Sequence, residues 1–310
     1  MALLSLNCVC AVAHLPAAKI TRAWQSQDGR VIQGDLVEYN GEEIRLKRAS
    51  DFQVVKVPLT ALCAADKSLI LDMVRERKLD VSLKDGPYAA NMTGAFTKGT
   101  SKQGLNYQIF GNPKWDNTKR YPIIIWMHGS GQSGSDNEAQ MGGATGAFTA
   151  PNRQEKNPCF LLAPQCPDSD IGWNKDVAGN LMALLADLAA NLPLDQQRIY
   201  LTGSSMGGFG TFSLVQKYPE VFAAGVPLCG GSDVKNAPAL MKTPLWAFHG
   251  DKDDMVPVAK TRDVMNAISA AGAKNSKYSE LAGQGHGISG LVYAKDELHE
   301  WIFAQRRCGD

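Results

Sequence analysis

Residues 199–208, with the sequence IYLTGSSMGG, contain the signal that decides the fold. The stretch begins as an apolar, β-prone run and then meets Gly203-Ser-Ser205-Met-Gly207, after which apolar residues recur at helical spacing. This order predicts a strand, a very sharp turn and a helix, with the Ser205 hydroxyl held clear of the sheet by strained backbone geometry. Glycine at both flanking positions suits a close crossing of strand and helix.

The pattern Gly-x-Ser-x-Gly can centre only on Ser205. Centring it on Ser204 would need glycine where Thr202 and Met206 stand. A serine at the centre of such a turn is typical of a catalytic nucleophile. The alternative is a strand–helix turn of small residues whose serine has no chemical role.

Charge and composition restrict the classes of partner. The 310 residues include 32 Lys and Arg against 31 Asp and Glu, a formal net charge of +1. Such a balance argues against a nucleic-acid or anionic-membrane partner, which would need a basic patch. No apolar run reaches the roughly 18 residues that a membrane span requires. We therefore expect no nucleic-acid partner and no membrane span.

The first residues have the composition of a targeting segment. Residues 1–13 carry no charged side chain and are mostly apolar, and small residues at 11–13 and 16–18 offer cleavage sites. This pattern predicts a signal peptide over residues 1–18 and a periplasmic or secreted protein, although a basic segment at its start is missing. The alternative is a hydrophobic terminus that is retained.

Residues 19–63 differ from the rest of the chain. Short β-prone pieces are separated by Asp28-Gly29 and Asn40-Gly41, a pattern typical of hairpins in a small barrel or meander. The segment resembles the SLA1 homology 1 module in the residues Arg22-Ala-Trp24, Asp28-Gly-Arg30, Ile44-Arg-Leu46-Lys47, Val57-Pro-Leu59, Leu62 and Asp66. This resemblance implies an SH3-like β-barrel. Together with a helix that begins at Ala64, this segment is predicted to form a small domain over residues 19–80. The domain is either a module that binds an unknown ligand or a structural cap on the second domain.

Residues 81–310 form the second predicted domain. The continuous apolar run Tyr121–Met127 indicates a central parallel strand that is buried on both faces. Leu105–Phe110 alternates in the manner of an edge strand. Strands and helices then alternate to the end of the chain, which predicts a mostly parallel sheet with helices on both faces. The later predicted elements are strands 160–164, 199–202, 222–228, 244–249 and 277–281 and helices 176–191, 206–218, 258–271 and 295–306.

A glycine-rich loop, residues 128–134, follows the central strand. Its backbone N–H groups can point into an open crevice at the carboxyl end of the sheet. A phosphate site is the alternative, but the Gly-Lys-Ser/Thr signature is missing. If Ser205 is a nucleophile, this loop supplies half of an oxyanion hole, which we assign to the Ser130 N–H, and the Met206 N–H supplies the other half.

A serine hydroxyl needs a general base, and the chain has five histidines. His286 stands in a glycine-rich loop between the last strand and the last helix, which can carry the imidazole to the strand ends. The other positions favour different roles: His14 beside the leader, His128 in the oxyanion loop, His249 at the end of a buried strand and His299 inside the last helix. The acid that orients the base comes from residues 251–254, which follow a strand and offer three aspartates.

Residues 93–310 resemble the α/β hydrolases. Within that fold they are similar to the esterase and predicted-peptidase group related to dienelactone hydrolases, feruloyl esterases and polyhydroxybutyrate depolymerases. The residues that carry the resemblance are His128-Gly-Ser-Gly, Ala163-Pro-Gln-Cys-Pro167, Trp173, Gly203-Ser-Ser-Met-Gly-Gly-Phe-Gly210, Tyr218-Pro219, Cys229-Gly-Gly231 and His249-Gly-x-x-Asp253-x-x-Val256-Pro257. In that group the acid is the aspartate four residues after the strand-end histidine, which here is Asp253.

The resemblance implies a serine hydrolase with the triad Ser205, His286 and Asp253, working through an acyl-enzyme without a metal or other cofactor. The favoured substrate is a small-molecule or polysaccharide-linked ester, such as a carbohydrate or phenolic ester, and the candidate pocket walls are Trp173, Phe209 and Ile288. One alternative is a serine peptidase of the prolyl oligopeptidase type. The other is a binding protein that acts through its N-terminal module. Ester is favoured over peptide because an alkoxide leaves without help, and no inserted element is evident that would hold an extended peptide.

Overall fold

The computed structural model describes residues 21–39, 42–75, 86–116, 119–173 and 175–307. The chain divides into two compact units, Met1–Asp80 and Val81–Asp310. The predicted signal peptide, residues 1–18, lies outside the described residues. Cys63, Cys159, Cys166 and Cys229 are free cysteines. No helix among the described residues is both long and apolar enough to span a bilayer.

The first unit contains an antiparallel sheet followed by a helix. Its elements are β1 (Thr21–Gln25), β2 (Val31–Tyr39), β3 (Glu43–Arg48), β4 (Val54–Pro58) and α1 (Ala64–Arg75). The strands pair in sequence order, each antiparallel to the next, and bury Trp24, Ile44 and Leu46. This pairing agrees with the hairpins expected from the turn residues. Closure of the sheet into an SH3-like barrel remains a prediction.

A mostly parallel sheet dominates the described part of the second unit. Its strands are β5 (Phe96–Thr100), β6 (Asn106–Phe110), β7 (Tyr121–Met127), β8 (Phe160–Pro164), β9 (Leu194–Ser204), β10 (Ala224–Leu228), β11 (Trp246–Gly250) and β12 (Lys277–Leu281). Their order across the sheet is β12-β11-β10-β9-β7-β8-β6-β5. The strands from β12 to β8 pair parallel, and β6 and β5 are antiparallel additions at one side.

Helices cover both faces of this sheet. They are α2 (Ala144–Thr149), α3 (Pro151–Lys156), α4 (Lys175–Asn191), α5 (Met206–Lys217), α6 (Ala237–Leu240), α7 (Ala259–Ala270), α8 (Ser289–Tyr293) and α9 (Asp296–Ala304). Successive side chains of β7 point to opposite faces. Ile123 and Ile125 enter a hydrophobic cluster with α4, α5 and α7, whereas Ile124 and Trp126 enter another with α2, α8 and α9. Because both faces of β7 are buried, its sequence is apolar throughout. The arrangement of strands and helices is that of the α/β-hydrolase fold.

The prediction that Leu105–Phe110 is an edge strand is wrong. The strand β6 pairs with β8 on one side and with β5 on the other, so β5 forms the edge. The polar positions of β6 suggested a solvent-facing side, but Gln108 is buried and its Nε2 donates to the Asn137 carbonyl at 2.7 Å. The Gln108 side chain is therefore satisfied by an internal hydrogen bond, and not by the solvent that we expected from the alternation of polar and apolar residues in this strand.

Candidate active site

The predicted nucleophile lies in the sharp turn between β9 and α5. Ser205 has φ 57° and ψ −118°, a backbone conformation that residues with a Cβ rarely adopt. A Cβ at Gly207 would overlap the Met127 carbonyl oxygen, and one at Gly203 would overlap the carbonyl of Gly207. The turn therefore needs glycine at both positions, and it presents Ser205 at the carboxyl edge of the sheet.

The predicted acid and base lie on loops that follow neighbouring parallel strands. Asp253 follows β11 and His286 follows β12, and the His286 Nδ1 lies 2.7 Å from Asp253 Oδ2. The Asp253 side chain is completely buried, whereas 18% of the His286 side chain is exposed. This hydrogen bond leaves the Nε2 side of the imidazole for a second partner, as a general base requires.

The carboxylate of Asp253 is stabilised by a set of donors. Burial by itself raises the pKa of Asp253, but hydrogen bonds from the Val256 N–H, from His286 and from the Met255 N–H outweigh it and hold the pKa below the usual range. The two backbone groups donate to Oδ1 at 2.8 and 2.9 Å. Asp253 is therefore an anion at neutral pH, as is needed to stabilise an imidazolium.

Cys229 lies between the turn of Ser205 and the loop of His286. The Ser205 N–H donates to the Leu228 carbonyl at 2.9 Å, and the next residue, Cys229, donates from Sγ to the His286 carbonyl at 3.4 Å. The end of β10 thus contacts both loops. The structure brings Ser205, Asp253 and His286 to one edge of the sheet.

The two predicted oxyanion donors line the same cavity. Ser130 begins a 3₁₀ turn, Ser130–Gln132, which follows β7 after His128 and Gly129, and Met206 is the first residue of α5. An N–H in the first turn of a helix has no acceptor within that helix. The Met206 N–H is therefore available to a ligand, and Ser130 borders the same space.

Hydrogen bonds to the segment after β8 anchor the loop that follows β7. The Cys166 N–H donates to His128 Nε2 at 2.9 Å, which places the ring proton on Nδ1, where it is donated to the Gly129 carbonyl at 2.7 Å. Gln165 accepts from the Asn137 N–H and donates to Asp136 Oδ1, both at 2.7 Å. His128 is thus an anchor with both nitrogens occupied, and burial lowers its pKa.

The role of Gln165 was missed from the sequence. The available signal was a polar side chain directly after the apolar run Phe160–Pro164, at a position where the strand end is still buried. Such a residue must have internal hydrogen-bond partners. Its sequence position does not reveal that those partners are in the loop after β7.

A cavity of about 490 Å³ opens beside Ser130 and Met206. It is lined by Ser130, Ser169, Ile171, Gly172, Trp173, Met206, Phe209, Gly210 and Ser213. Of the three predicted pocket walls, Phe209 is 38% exposed on this cavity, and Trp173 is mostly buried with its Nε1 donating to the His128 carbonyl at 3.2 Å.

Ile288, the third predicted wall, does not line this cavity. It is 1% exposed and belongs to the hydrophobic cluster that contains Val292 and Leu298. The tight turn after His286, in which the Ile288 N–H donates to the His286 carbonyl at 3.0 Å, leads directly into α8. The side chain therefore becomes part of the core that packs this helix onto the sheet.

Among the described residues, Cys229, His249 and Asp253 could offer donor atoms to a metal ion, because these atoms lie within 4.8 Å of one another. Burial raises the pKa of the Cys229 thiol to about 12. His249 Nε2 lies 3.1 Å from Asp253 Oδ2 and is hydrogen-bonded to the Val256 carbonyl at 3.0 Å. The recorded contacts of these three side chains belong to the hydrogen-bond network around the loops of Asp253 and His286.

Comparisons with known proteins agree with this architecture. A model of the prolyl oligopeptidase family matches residues 172–239, which include Ser205. The chain is 28% identical over 131 residues to poly(3-hydroxyalkanoate) depolymerase C from Paucimonas lemoignei, covering 41% of the chain and 32% of the depolymerase. It is also 28% identical over 212 residues to a probable carboxylesterase from Oryza sativa subsp. japonica, covering 58% of the chain and 76% of that protein.

Among solved structures, a thermostable esterase is 30% identical, with a TM-score of 0.64, over 69% of this chain and 63% of that one. The matched part thus spans less than two thirds of this esterase and about a third of the depolymerase. Together, these similarities support the α/β-hydrolase fold for the second unit and a likeness to esterases in this part of the chain.

Proposed function

We propose that the protein is a serine hydrolase that cleaves carboxylic esters through an acyl-enzyme. The observation that carries the proposal is the 2.7 Å contact of His286 Nδ1 with Asp253 Oδ2, at the sheet edge where Ser205 occupies its strained turn. In the first step His286 takes the Ser205 proton as Oγ attacks the ester carbonyl carbon. The alcohol leaves with that proton, and a water activated by His286 then releases the acid and restores Ser205.

The developing oxyanion needs donors that are in place before the reaction. The proposed donors are the backbone N–H groups of Ser130 and Met206, which border the same cavity. Backbone donors on a helix terminus and on an anchored loop need no rearrangement when charge develops. Loss of one such donor in other hydrolases costs about 10²–10³ in kcat.

The cavity beside Ser130 and Met206 favours an acyl or aromatic group. Ile171, Trp173 and Phe209 give it an apolar wall, and serine hydroxyls occur elsewhere on its lining. An apolar surface with a few polar groups is typical of sites for small molecules. We therefore propose esters of modest size as substrates, with phenolic and carbohydrate-linked esters as the first classes to test.

A serine peptidase is the second candidate, because the prolyl oligopeptidase family model matches residues 172–239. The two activities differ in the leaving group. An amine must be protonated as it departs, and a peptide needs an extended binding surface to orient it. The ester is the less demanding substrate for the site described.

For the first unit, Met1–Asp80, we propose a module of the SLA1 homology 1 type with a role outside the chemistry. Its hairpins and buried Trp24 support a small β-rich module. All proposed triad and oxyanion residues belong to the second unit.

A substrate panel tests the proposed function. Purified protein is assayed in one buffer with p-nitrophenyl acetate and butyrate, acetylated sugars, methyl ferulate and peptide p-nitroanilides, with Ser205→Ala as the blank. We expect measurable kcat/KM on the esters and rates slower by several orders of magnitude on the anilides. Equal rates on both classes would favour the peptidase, and equal rates in wild type and blank would remove the nucleophile assignment.

A further inference from the structure

A second cavity, of about 210 Å³, lies at the same edge of the sheet as the proposed triad. Its lining comes from the start of β6, the loop after β7, the segment after β8 and the first turns of α4. Because β6 is antiparallel to β8, its start lies beside the end of β8, where the Gln165 N–H donates to the Asn106 carbonyl at 2.8 Å. Ser205 follows β9, and the strand order β9-β7-β8-β6 separates the two places by three strand spacings, roughly 14 Å.

The lining of this second cavity is rich in carboxamides, and we call it the amide cavity. The four amide side chains belong to Gln103, Asn106, Gln165 and Asn180. A carboxamide has two N–H donors and a carbonyl acceptor, so it matches a hydroxyl group, which also donates and accepts. None of the described residues that line the cavity is charged, whereas phosphate and carboxylate ligands are recognised by cationic groups. The lining therefore favours a neutral ligand that carries hydroxyl groups.

Two of the four amides are held in place by the protein. Gln165 is buried, with both ends of its amide engaged in the hydrogen bonds to the loop after β7 described above. Asn106 Oδ1 accepts from Thr100 Oγ1 at 2.8 Å, and its Nδ2 donates to the Ser135 carbonyl at 3.1 Å. Asn106 thus keeps one N–H and one lone pair for a ligand, in an orientation that is fixed before binding.

The other two amides are open to a ligand. Gln103 is exposed in the turn before β6, and Asn180 is half-buried on α4. Neither side chain has a hydrogen-bond partner within the described part of the chain. Leu105 and Val177, both buried, add an apolar part to the same lining. Amides beside an apolar surface suit a sugar ring, which has hydroxyl groups at its edge and C–H groups on its faces.

The size of the amide cavity limits its ligand to about one ring. Sites for drug-sized molecules have volumes of about 300–1,000 Å³, and this cavity has about 210 Å³. Two segments connect it to the larger cavity. The loop after β7 contributes Ser130 to the larger cavity and Ser135 to the smaller one, and the segment after β8 contributes Ser169 and Pro167 in the same way. A substrate that occupies both must therefore extend roughly 14 Å from the ester group.

We propose that the amide cavity binds one sugar unit of a neutral oligosaccharide whose ester group lies at Ser205. The inference rests on the proposed function and narrows its substrate class to esters on an oligosaccharide chain. The acyl group occupies the cavity beside Ser130 and Met206, and the sugar chain runs toward β6. A peptide is the less suitable occupant, because β6 is paired on both sides and offers no free strand edge to which an extended peptide could add.

A binding experiment that needs no turnover tests this subsite. Unesterified xylotetraose, mannotetraose and cellotetraose are titrated into the full Ser205→Ala chain by isothermal calorimetry, with trigalacturonate as the anionic probe and tetra-alanine as the peptide probe. We expect saturable binding of at least one of the neutral tetrasaccharides. If none of the three binds, or if the anionic or peptide probe binds more tightly than they do, the inference is overturned.

Two variants connect this binding to the amide cavity. Gln103→Ala and Asn180→Ala should each weaken tetrasaccharide binding about 2- to 10-fold, the range for loss of one hydrogen bond, and the double variant about 10-fold or more. Alanine is favourable within α4, and Gln103 is exposed, so we expect both variants to fold. Asn266→Ala is the matched control, since Asn266 lines a cavity of about 170 Å³ beside the start of β12, at the opposite edge of the sheet. It should leave binding within about twofold of the unsubstituted position.

A turnover measurement connects the subsite to the reaction. For the tetrasaccharide that binds, the ratio of kcat/KM on its acetylated form to kcat/KM on p-nitrophenyl acetate should fall about 10-fold in the double variant and stay within about twofold in Asn266→Ala. If wild type hydrolyses no ester, the proposed function fails, whereas the titrations still decide whether the amide cavity binds a sugar. Unchanged sugar binding in the double variant, or an unchanged ratio where binding is weakened, would overturn the inference.

Discussion

His286 Nδ1 lies 2.7 Å from Asp253 Oδ2, although the two residues are 33 positions apart in the chain. The contact arises because β11 and β12 are parallel neighbours, so their following loops meet at one sheet edge. Gly250 is part of this fit: a Cβ there would overlap the carbonyl oxygens of Gln284 and Gly285. Close packing of the two loops therefore fixes the distance between the proposed acid and base.

Replacement of the nucleophile gives the most direct prediction. Ser205→Ala should lower kcat by about 10⁶, the effect of removing the serine in a related triad, because the acyl-enzyme cannot form. A fluorophosphonate probe should label the wild type and not the variant. Labelling that persists in Ser205→Ala would mean that another residue is the nucleophile.

The choice among three aspartates is tested next. Asp253→Asn should lower kcat by about 10⁴, since the amide cannot stabilise the His286 imidazolium. Asp254→Asn is the matched control, because Asp254 is an exposed neighbour, and it should retain activity. Asp251→Asn should have an intermediate effect at most: Asp251 Oδ1 accepts from the Gly283 N–H at 2.6 Å and so supports the loop of His286. The assignment is wrong if Asp254→Asn is the most damaging change.

The sequence predicted the mostly parallel sheet well because strands and helices depend on local patterns, whereas the triad of Ser205, His286 and Asp253 stays a prediction. The strand β8 was expected at its observed bounds, since a five-residue apolar run leaves little choice. The pairing of β6 with a strand on each side and the burial of Ile288 in the core were missed, since each depends on residues that are remote in sequence. The contact of His249 with Asp253 was missed for a similar reason: the spacing of four residues is visible, but the loop conformation that brings the two together is not.

An exposed ion pair should make stability depend on pH in acid. Two hydrogen bonds from Arg262, at 2.7 and 2.9 Å, lower the pKa of Glu280 to about 2 against the opposing effect of burial, and a hydrogen bond from the Tyr278 hydroxyl adds to this lowering. Because the folded pKa is depressed, the pair contributes its full stability above the unfolded pKa of about 4.3 and loses it as pH falls toward 2.

Glu280→Gln should therefore reduce the free energy of unfolding at pH 7 by less than about 1 kcal/mol, given the solvent exposure of the pair. The difference from wild type should shrink as pH falls from about 4.5 to 2. Urea denaturation at several pH values measures it, with Arg262→Gln as the matched partner variant. A difference that grows in acid would contradict the assigned sign.

The first unit should be dispensable for the chemistry, because every proposed catalytic residue belongs to Val81–Asp310. A chain that begins at Val81 should fold and hydrolyse p-nitrophenyl acetate with kcat/KM within about threefold of the full chain. Circular dichroism and a cooperative urea transition establish that it is folded. A folded truncated chain that loses more than tenfold in activity would show that the first unit contributes to the site.

The apolar wall of the cavity should discriminate among acyl groups. Phe209 is exposed on the cavity, so Phe209→Ala removes aromatic surface that a phenolic acyl group could contact and an acetyl group is too small to reach. We expect kcat/KM for methyl ferulate to fall about 10-fold or more, within the 1–3 kcal/mol that a large apolar contact contributes. The value for p-nitrophenyl acetate should change less than threefold.

Leu291→Ala is the control, since Leu291 is exposed but does not line the cavity. Equal losses on both esters would mean that Phe209 supports the turn of Ser205 and does not select the acyl group.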